Sequence, residues 1–102
     1  MVDLAPISEI LEDLKGGKMV ILVDDPEREN EGDLCIAAEF VTPEVVNFIR
    51  KNAGGLLCMP IPASRCEELG LSLMAPESRN PRRTGFTVSV EAAEGVTTGI
   101  SA

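Results

Sequence analysis

Met19-Val20-Ile21-Leu22-Val23, followed at once by Asp24-Asp25-Pro26-Glu27-Arg28-Glu29-Asn30-Glu31-Gly32-Asp33, is the stretch around which the rest of the chain can be laid out. Lys18 to Val23 is a near-continuous apolar run of strand length, and a run of that kind reads as a strand covered on both faces. Six carboxylates and one arginine then fall within ten residues. Carboxylates crowded at the end of a strand repel one another and resist desolvation. A hard divalent cation relieves that repulsion, and oxygen donors without nitrogen or thiolate suit magnesium or manganese. Arg28, in the middle, can pair with a carboxylate or grip a phosphate or enolate oxygen. The competing reading is a solvated acidic loop. Gly32 is the residue expected to supply the unusual backbone angles of a tight turn.

Outward from this stretch, the elements alternate. Before it, Pro6 followed by Ile7, Ile10, Leu11 and Leu14 makes a helical stripe, with Gly16-Gly17 as the stop, so one face should be buried. After it, Leu34 to Phe40 reads as a short strand. Thr42-Pro43-Glu44 is a helix start, with a hydroxyl cap, a proline in the first turn and an acid near the positive end of the dipole. That helix should run to about Ala53 and stop at Gly54-Gly55. Leu56 to Ile61 reads as a strand, Pro62 to Leu69 as a helix stopped by Gly70, and Phe86 to Val90 as another strand. Between them, Leu71 to Gly85 has the Pro, Ser, Asn and Arg content of a long mobile loop. Strands alternating with helices imply an α+β fold with a mixed sheet and helices on both faces.

With 102 residues, the chain suffices for one small domain with a modest core. Its aromatics are three phenylalanines, so the core must come from aliphatic residues. A net charge of −8 argues against non-specific binding to nucleic acid or to an anionic membrane. No apolar run approaches the roughly 20 residues of a membrane span, and the N-terminus lacks the plan of a signal peptide. Three cysteines, at 35, 58 and 66, fit no zinc spacing, and a reducing cytoplasm is the economical inference. Histidine is absent, which removes the commonest general base and nitrogen ligand.

Val23-Asp24-Asp25 and Arg28-Glu29-Asn30-Glu31-Gly32-Asp33 resemble the signature of 3,4-dihydroxy-2-butanone 4-phosphate synthase. Further blocks resemble that family in order. They are Ala37-Ala38-Glu39 with Val41-Thr42-Pro43-Glu44 and Asn47-Phe48, then Gly55-Leu56-Leu57-Cys58, then Gly85 to Ala92 running on through Gly95 to Ala102. The resemblance implies a three-layer α/β/α sandwich and a homodimer with active sites near the subunit interface. It also implies magnesium-dependent conversion of D-ribulose 5-phosphate to 3,4-dihydroxy-2-butanone 4-phosphate and formate. Such chemistry needs bases near the sugar carbons, a Lewis acid for enediolate oxygens and a phosphate anchor.

By that resemblance Glu29 is the metal ligand and also a substrate contact. Arg28 and Asp33 match substrate-contacting positions. Asp24 and Glu31 match further active-site acids, candidates for proton transfer or outer-shell metal contacts. Cys58 matches the family's active-site cysteine, where packing is the competing reading. Cys35 and Cys66 match nothing and read as packing residues. Thr97 and Thr98 lie in a Gly-flanked loop suited to hydroxyls or oxyanions. Arg79, Arg82 and Arg83 could close over a phosphorylated sugar, although a solvated basic loop accounts for them more simply.

The family domain is about twice as long, and its second half supplies a histidine as the other metal ligand together with phosphate-binding groups. The chain is therefore expected to be residues 1–102 of the N-terminal part of a single domain, without an internal boundary, binding metal weakly through Glu29 and water and turning over little or not at all. It could be part of a stand-alone synthase or of a bifunctional protein with GTP cyclohydrolase II. An inactive fragment and an acidic divalent-cation-binding module stay open. An EF-hand does not, because with Gly32 at the sixth position of that loop the twelfth is Ala38 rather than a bidentate glutamate.

Overall fold

Two strands joined by the acidic stretch form the centre of the first part of the chain. A computed structural model describes residues 3–75 and 84–97, which divide after Leu57 into two compact units.

In the first unit, α1 spans Ile7–Lys15 and begins directly after Pro6, whose carbonyl accepts from Glu9 and Ile10 N–H at 3.0 and 3.2 Å. Gly17 then turns the chain with φ +80°, where a side chain would be strained and a Cβ would come 3.0 Å from the Phe40 ring. Strand β1 (Val20–Val23) pairs antiparallel with β2 (Gly32–Cys35), with Val20 opposite Cys35 and Val23 opposite Gly32. The sheet is two-stranded among the described residues, not the mixed sheet expected. After a 3-10 turn at Ala38–Phe40, α2 spans Pro43–Asn52. The start works as its residue types suggest: Thr42 Oγ1 accepts from Val45 N–H at 3.2 Å, with Glu44 in the first turn and Arg50 and Lys51 in the last.

The core is slight. Val20 is buried, and α1 touches β1, yet Ile21, Leu22 and Val23 are 67%, 46% and 54% exposed. The expectation that this strand is covered on both faces is therefore not met. Nor does α1 bury a full face: Ile10 and Leu14 are half-buried, whereas Ile7 and Leu11 are exposed. An apolar run states what a segment would bury, and a two-stranded ribbon with one helix cannot cover it. The strand expected over Leu34–Phe40 ends at Cys35 and gives way to the 3-10 turn.

In the second unit, α3 spans Ala63–Leu69 and is closed by Gly70 at φ +68°, with Leu71 N–H donating to Cys66 O at 2.9 Å. Leu73 and Thr87 form an isolated antiparallel bridge, flanked by Met74 N–H to Phe86 O and Val88 N–H to Ser72 O, each 2.9 Å. The strands expected over Leu56–Ile61 and Phe86–Val90 are otherwise irregular. A strand exists only against a partner: Leu56–Ile61 has no ladder neighbour among the described residues, and Phe86–Val90 meets one only at the single Leu73–Thr87 bridge. Residues 76–83 of the long loop, with Arg79, Arg82 and Arg83, lie outside the described residues, as does Thr98.

Candidate active-site loop

The acidic stretch forms the hairpin connection Asp24–Glu31, closed at its base by Asp24 N–H to Glu31 O at 3.4 Å. Its first half is a turn: Arg28 N–H donates to Asp25 O at 2.9 Å, and Asp25 Oδ1 accepts from Glu27 N–H at 2.8 Å. Asp at the first position and Pro26 at the second suit such a turn, because proline presets φ and the aspartate side chain takes a nearby N–H. The left-handed residue is Asn30, at φ +52°. Gly32, expected to take that role, is paired with Val23 inside β2 and has no positive φ. Asparagine tolerates the left-handed region because its short polar side chain bonds locally.

The Asp24 carboxylate organises the loop. Its Oδ1 accepts from Glu31 N–H at 2.9 Å, and its Oδ2 accepts from Glu29 N–H at 3.0 Å and from Arg28 Nη1 at 2.9 Å. The Glu31 N–H, then the Glu29 N–H and the Arg28 guanidinium, hold its carboxyl below the usual carboxylate range, although partial burial opposes them. Arg28 also lies 3.8 Å from Glu29 Oε1 and is 61% exposed, with guanidinium donors to spare for a second anion.

Among the sequence-derived candidates, the hairpin thus brings together Asp24, Arg28, Glu29, Glu31 and Asp33, the last opposite Leu22 on β2. Cys58, exposed, and Thr97, also exposed, belong to the second unit. Cys35, read as a packing residue, is half-buried, and its burial, followed by the nearby Asp33 charge, pushes its thiol above the ordinary range. It is thus a protonated thiol at neutral pH. Sequence reasoning passed over Asn30 as a conformational residue. Its signal was the Asn-Glu-Gly run, in which either Asn or Gly can turn the chain.

All donors in the loop are oxygens, the chemistry that suits a hard divalent cation. However, no group of three or more His, Cys, Asp or Glu side chains converges in a metal-holding arrangement among the described residues. The loop fits such an ion in ligand type and not in ligand number. Also among those residues, no helix is long and apolar enough to cross a membrane.

Comparison with known proteins matches residues 8–102 to the sequence model of 3,4-dihydroxy-2-butanone 4-phosphate synthase. A synthase of that name from Pseudomonas aeruginosa is 60% identical over 99 residues, which are 97% of this chain and 27% of that protein. One from Neisseria meningitidis serogroup B is 55% identical over all 102 residues, 28% of its length. Riboflavin biosynthesis protein RibBA of Aquifex aeolicus is 53% identical over 98 residues, 24% of its length. The chain therefore spans between 24% and 28% of these relatives. A solved 3,4-dihydroxy-2-butanone 4-phosphate synthase in complex with two magnesium ions superposes with a TM-score of 0.89 at 42% identity, over 96% of this chain and 46% of that one. RibBX of A. baumannii, a two-domain synthase, superposes at 0.81 with 50% identity, over 95% of this chain and 28% of that one.

Proposed function

The chain belongs to the 3,4-dihydroxy-2-butanone 4-phosphate synthase family, and from that premise we propose that it contributes the acidic-loop part of an enzyme acting on D-ribulose 5-phosphate. The products are 3,4-dihydroxy-2-butanone 4-phosphate and formate, which together contain every carbon, hydrogen and oxygen of the substrate, so no external oxidant is needed. The observation that carries the proposal is the closed hairpin itself, in which one carboxylate, Asp24, holds the Arg28 guanidinium and the Glu29 and Glu31 backbone, with Asp33 following on β2.

Glu29 is the carboxylate proposed to hold magnesium, with manganese as a chemically equivalent substitute, and it is a substrate contact as well. The remaining ligands come from outside the described residues or from water. When bound, the ion supplies Lewis-acid stabilisation of enediolate oxygens. Arg28 faces the negative charge that grows on those oxygens or on phosphate, using guanidinium donors beyond the one given to Asp24. Asp33 accepts from sugar hydroxyls. Glu31 and Cys58 are the residues proposed for proton transfer, and Asp24 contacts the backbone of the proposed metal ligand. Thr97 and Thr98 offer hydroxyls to the substrate. Lyase chemistry, a homodimer and cytoplasmic placement belong to the same proposal, and so does a place in the N-terminal part of one domain.

Formate release from ribulose 5-phosphate, with and without magnesium, tests it. The assay compares the 102-residue chain with a chimera in which these residues replace the matching segment of the Pseudomonas aeruginosa synthase. The chimera should release formate only with magnesium and lose that activity on Glu29→Gln, while the chain alone should release little or none. A chimera that folds and is inactive, or one indifferent to Glu29→Gln, refutes the proposal.

A further inference from the structure

We propose that Asp24 is a positioning residue, which acts on the site through the backbone of Glu29 and Glu31 and not by exchanging a proton with substrate. The proposal rests on the reading of Glu29 as the metal ligand, and goes beyond it by assigning what sets that ligand's place.

The geometry is specific. Two amides, five and seven residues further along the chain, point at opposite oxygens of one carboxylate, at 3.0 and 2.9 Å. The residue between them, Asn30, is left-handed. Successive N–H groups around a left-handed residue make a concavity that fits an anion. Here the anion is supplied from within the chain, by Asp24, the residue directly after β1. The cradle is filled, so a phosphate or a sugar oxyanion has no claim on it. A carboxylate offers about four lone-pair positions, and the two amides with Arg28 Nη1 take three of them.

The consequence concerns direction. Glu29 and Glu31 are two residues apart, and their backbone N–H groups are tied to one carboxylate, that of Asp24, directly after β1. Their Cα positions are thereby referred to the sheet, not to a loose loop. Arg28, held by the same carboxylate, is brought into register with them at 2.9 Å. A side chain so placed controls where ligand and guanidinium begin. Removing it leaves three groups present but unaligned, and misplaced ligands bind a cation less tightly.

The test uses the full chain, Asp24→Asn, Asp24→Ala and Glu29→Gln, with amide hydrogen exchange at Glu29 and Glu31 and titration with manganese ion alone. Asparagine keeps one acceptor oxygen and alanine none. Exchange at the two amides should therefore rise by at least about fivefold in Asp24→Ala and by less in Asp24→Asn. Manganese affinity should fall in the same order. The amide of Val46, bonded to Thr42 O at 3.0 Å, should exchange unchanged and certify that α2 is intact. Unaltered exchange at Glu29 and Glu31 in Asp24→Ala overturns the proposal. So does faster exchange with manganese affinity untouched, since Asp24 would then be structural only. Glu29→Gln should keep both amides protected while weakening manganese binding. If it binds manganese as the parent does while the Asp24 series stays graded in both readouts, the positioning role is supported, and only the assignment of Glu29 as ligand falls.

Discussion

Exchanging the roles of Asn30 and Gly32 tests the loop geometry most directly. A non-glycine residue in the left-handed region costs roughly 1–2 kcal/mol. Asparagine recovers part of this through its local hydrogen bonds. Asn30, at φ +52°, should thus lose about 1 kcal/mol of loop stability on Asn30→Ala and nothing on Asn30→Gly. Gly32 is different. Its φ is not positive, and an added Cβ would lie 3.2 Å from Ile21 Cγ2 and 3.7 Å from Val23 Cγ1. Ile21 is 67% exposed and can turn aside. A rotamer adjustment of about 0.5–1 kcal/mol is offset by the similar gain from restricting the unfolded chain, so Gly32→Ala should fall within about 0.5 kcal/mol of neutral. Amide exchange at Glu29 and Glu31 reads local opening, and about 1 kcal/mol corresponds to roughly fivefold faster exchange. If Gly32→Ala opens the hairpin more than Asn30→Ala does, the assignment of the left-handed position is wrong.

Thr42→Ala should fray the start of α2 by about 1 kcal/mol, read as faster exchange at Val45, while Thr42→Ser holds it; equal loss in both would refute the cap. Because the Asp24 carboxyl is held below its usual range, its contribution to the closed loop is complete above its unfolded value of about 3.9 and lost as pH falls through the lower folded value. Protection of Glu29 and Glu31 should accordingly be flat from pH 7 to about 4 and collapse below, and a loss already near pH 6 would contradict this. Alkylation by iodoacetamide at neutral pH should modify exposed Cys58 before half-buried Cys35, whose thiol is pushed up by burial and by the Asp33 charge. A faster Cys35 would show that the described burial is not maintained in solution.

The helices were legible from residue order alone. The stripe of Ile7, Ile10, Leu11 and Leu14, the Thr42-Pro43-Glu44 start and the stop at Gly70 all act within a turn or two of themselves, and α1, α2 and α3 stand where these local signals put them. The β1 run and the acidic loop after it were legible too, because both are contiguous. Family membership followed from ordered blocks across the whole chain, and residues 8–102 bear it out. Whether a strand forms was beyond local signals. Leu56–Ile61 has strand composition but no described neighbour, whereas β1 has one in β2. Burial was undecidable for the same reason, since Val20 is covered and Ile21, beside it, is not. The partners of Asp24 were equally hidden: a carboxylate at one end of the loop meets amides five and seven residues away only once the hairpin closes and Asn30, not Gly32, turns left-handed. Sequence determined the groups available for chemistry and the helices with their own caps. Tertiary structure decided which acid is tied to backbone amides and which apolar residues find cover, because both depend on atoms that the chain brings together only by folding.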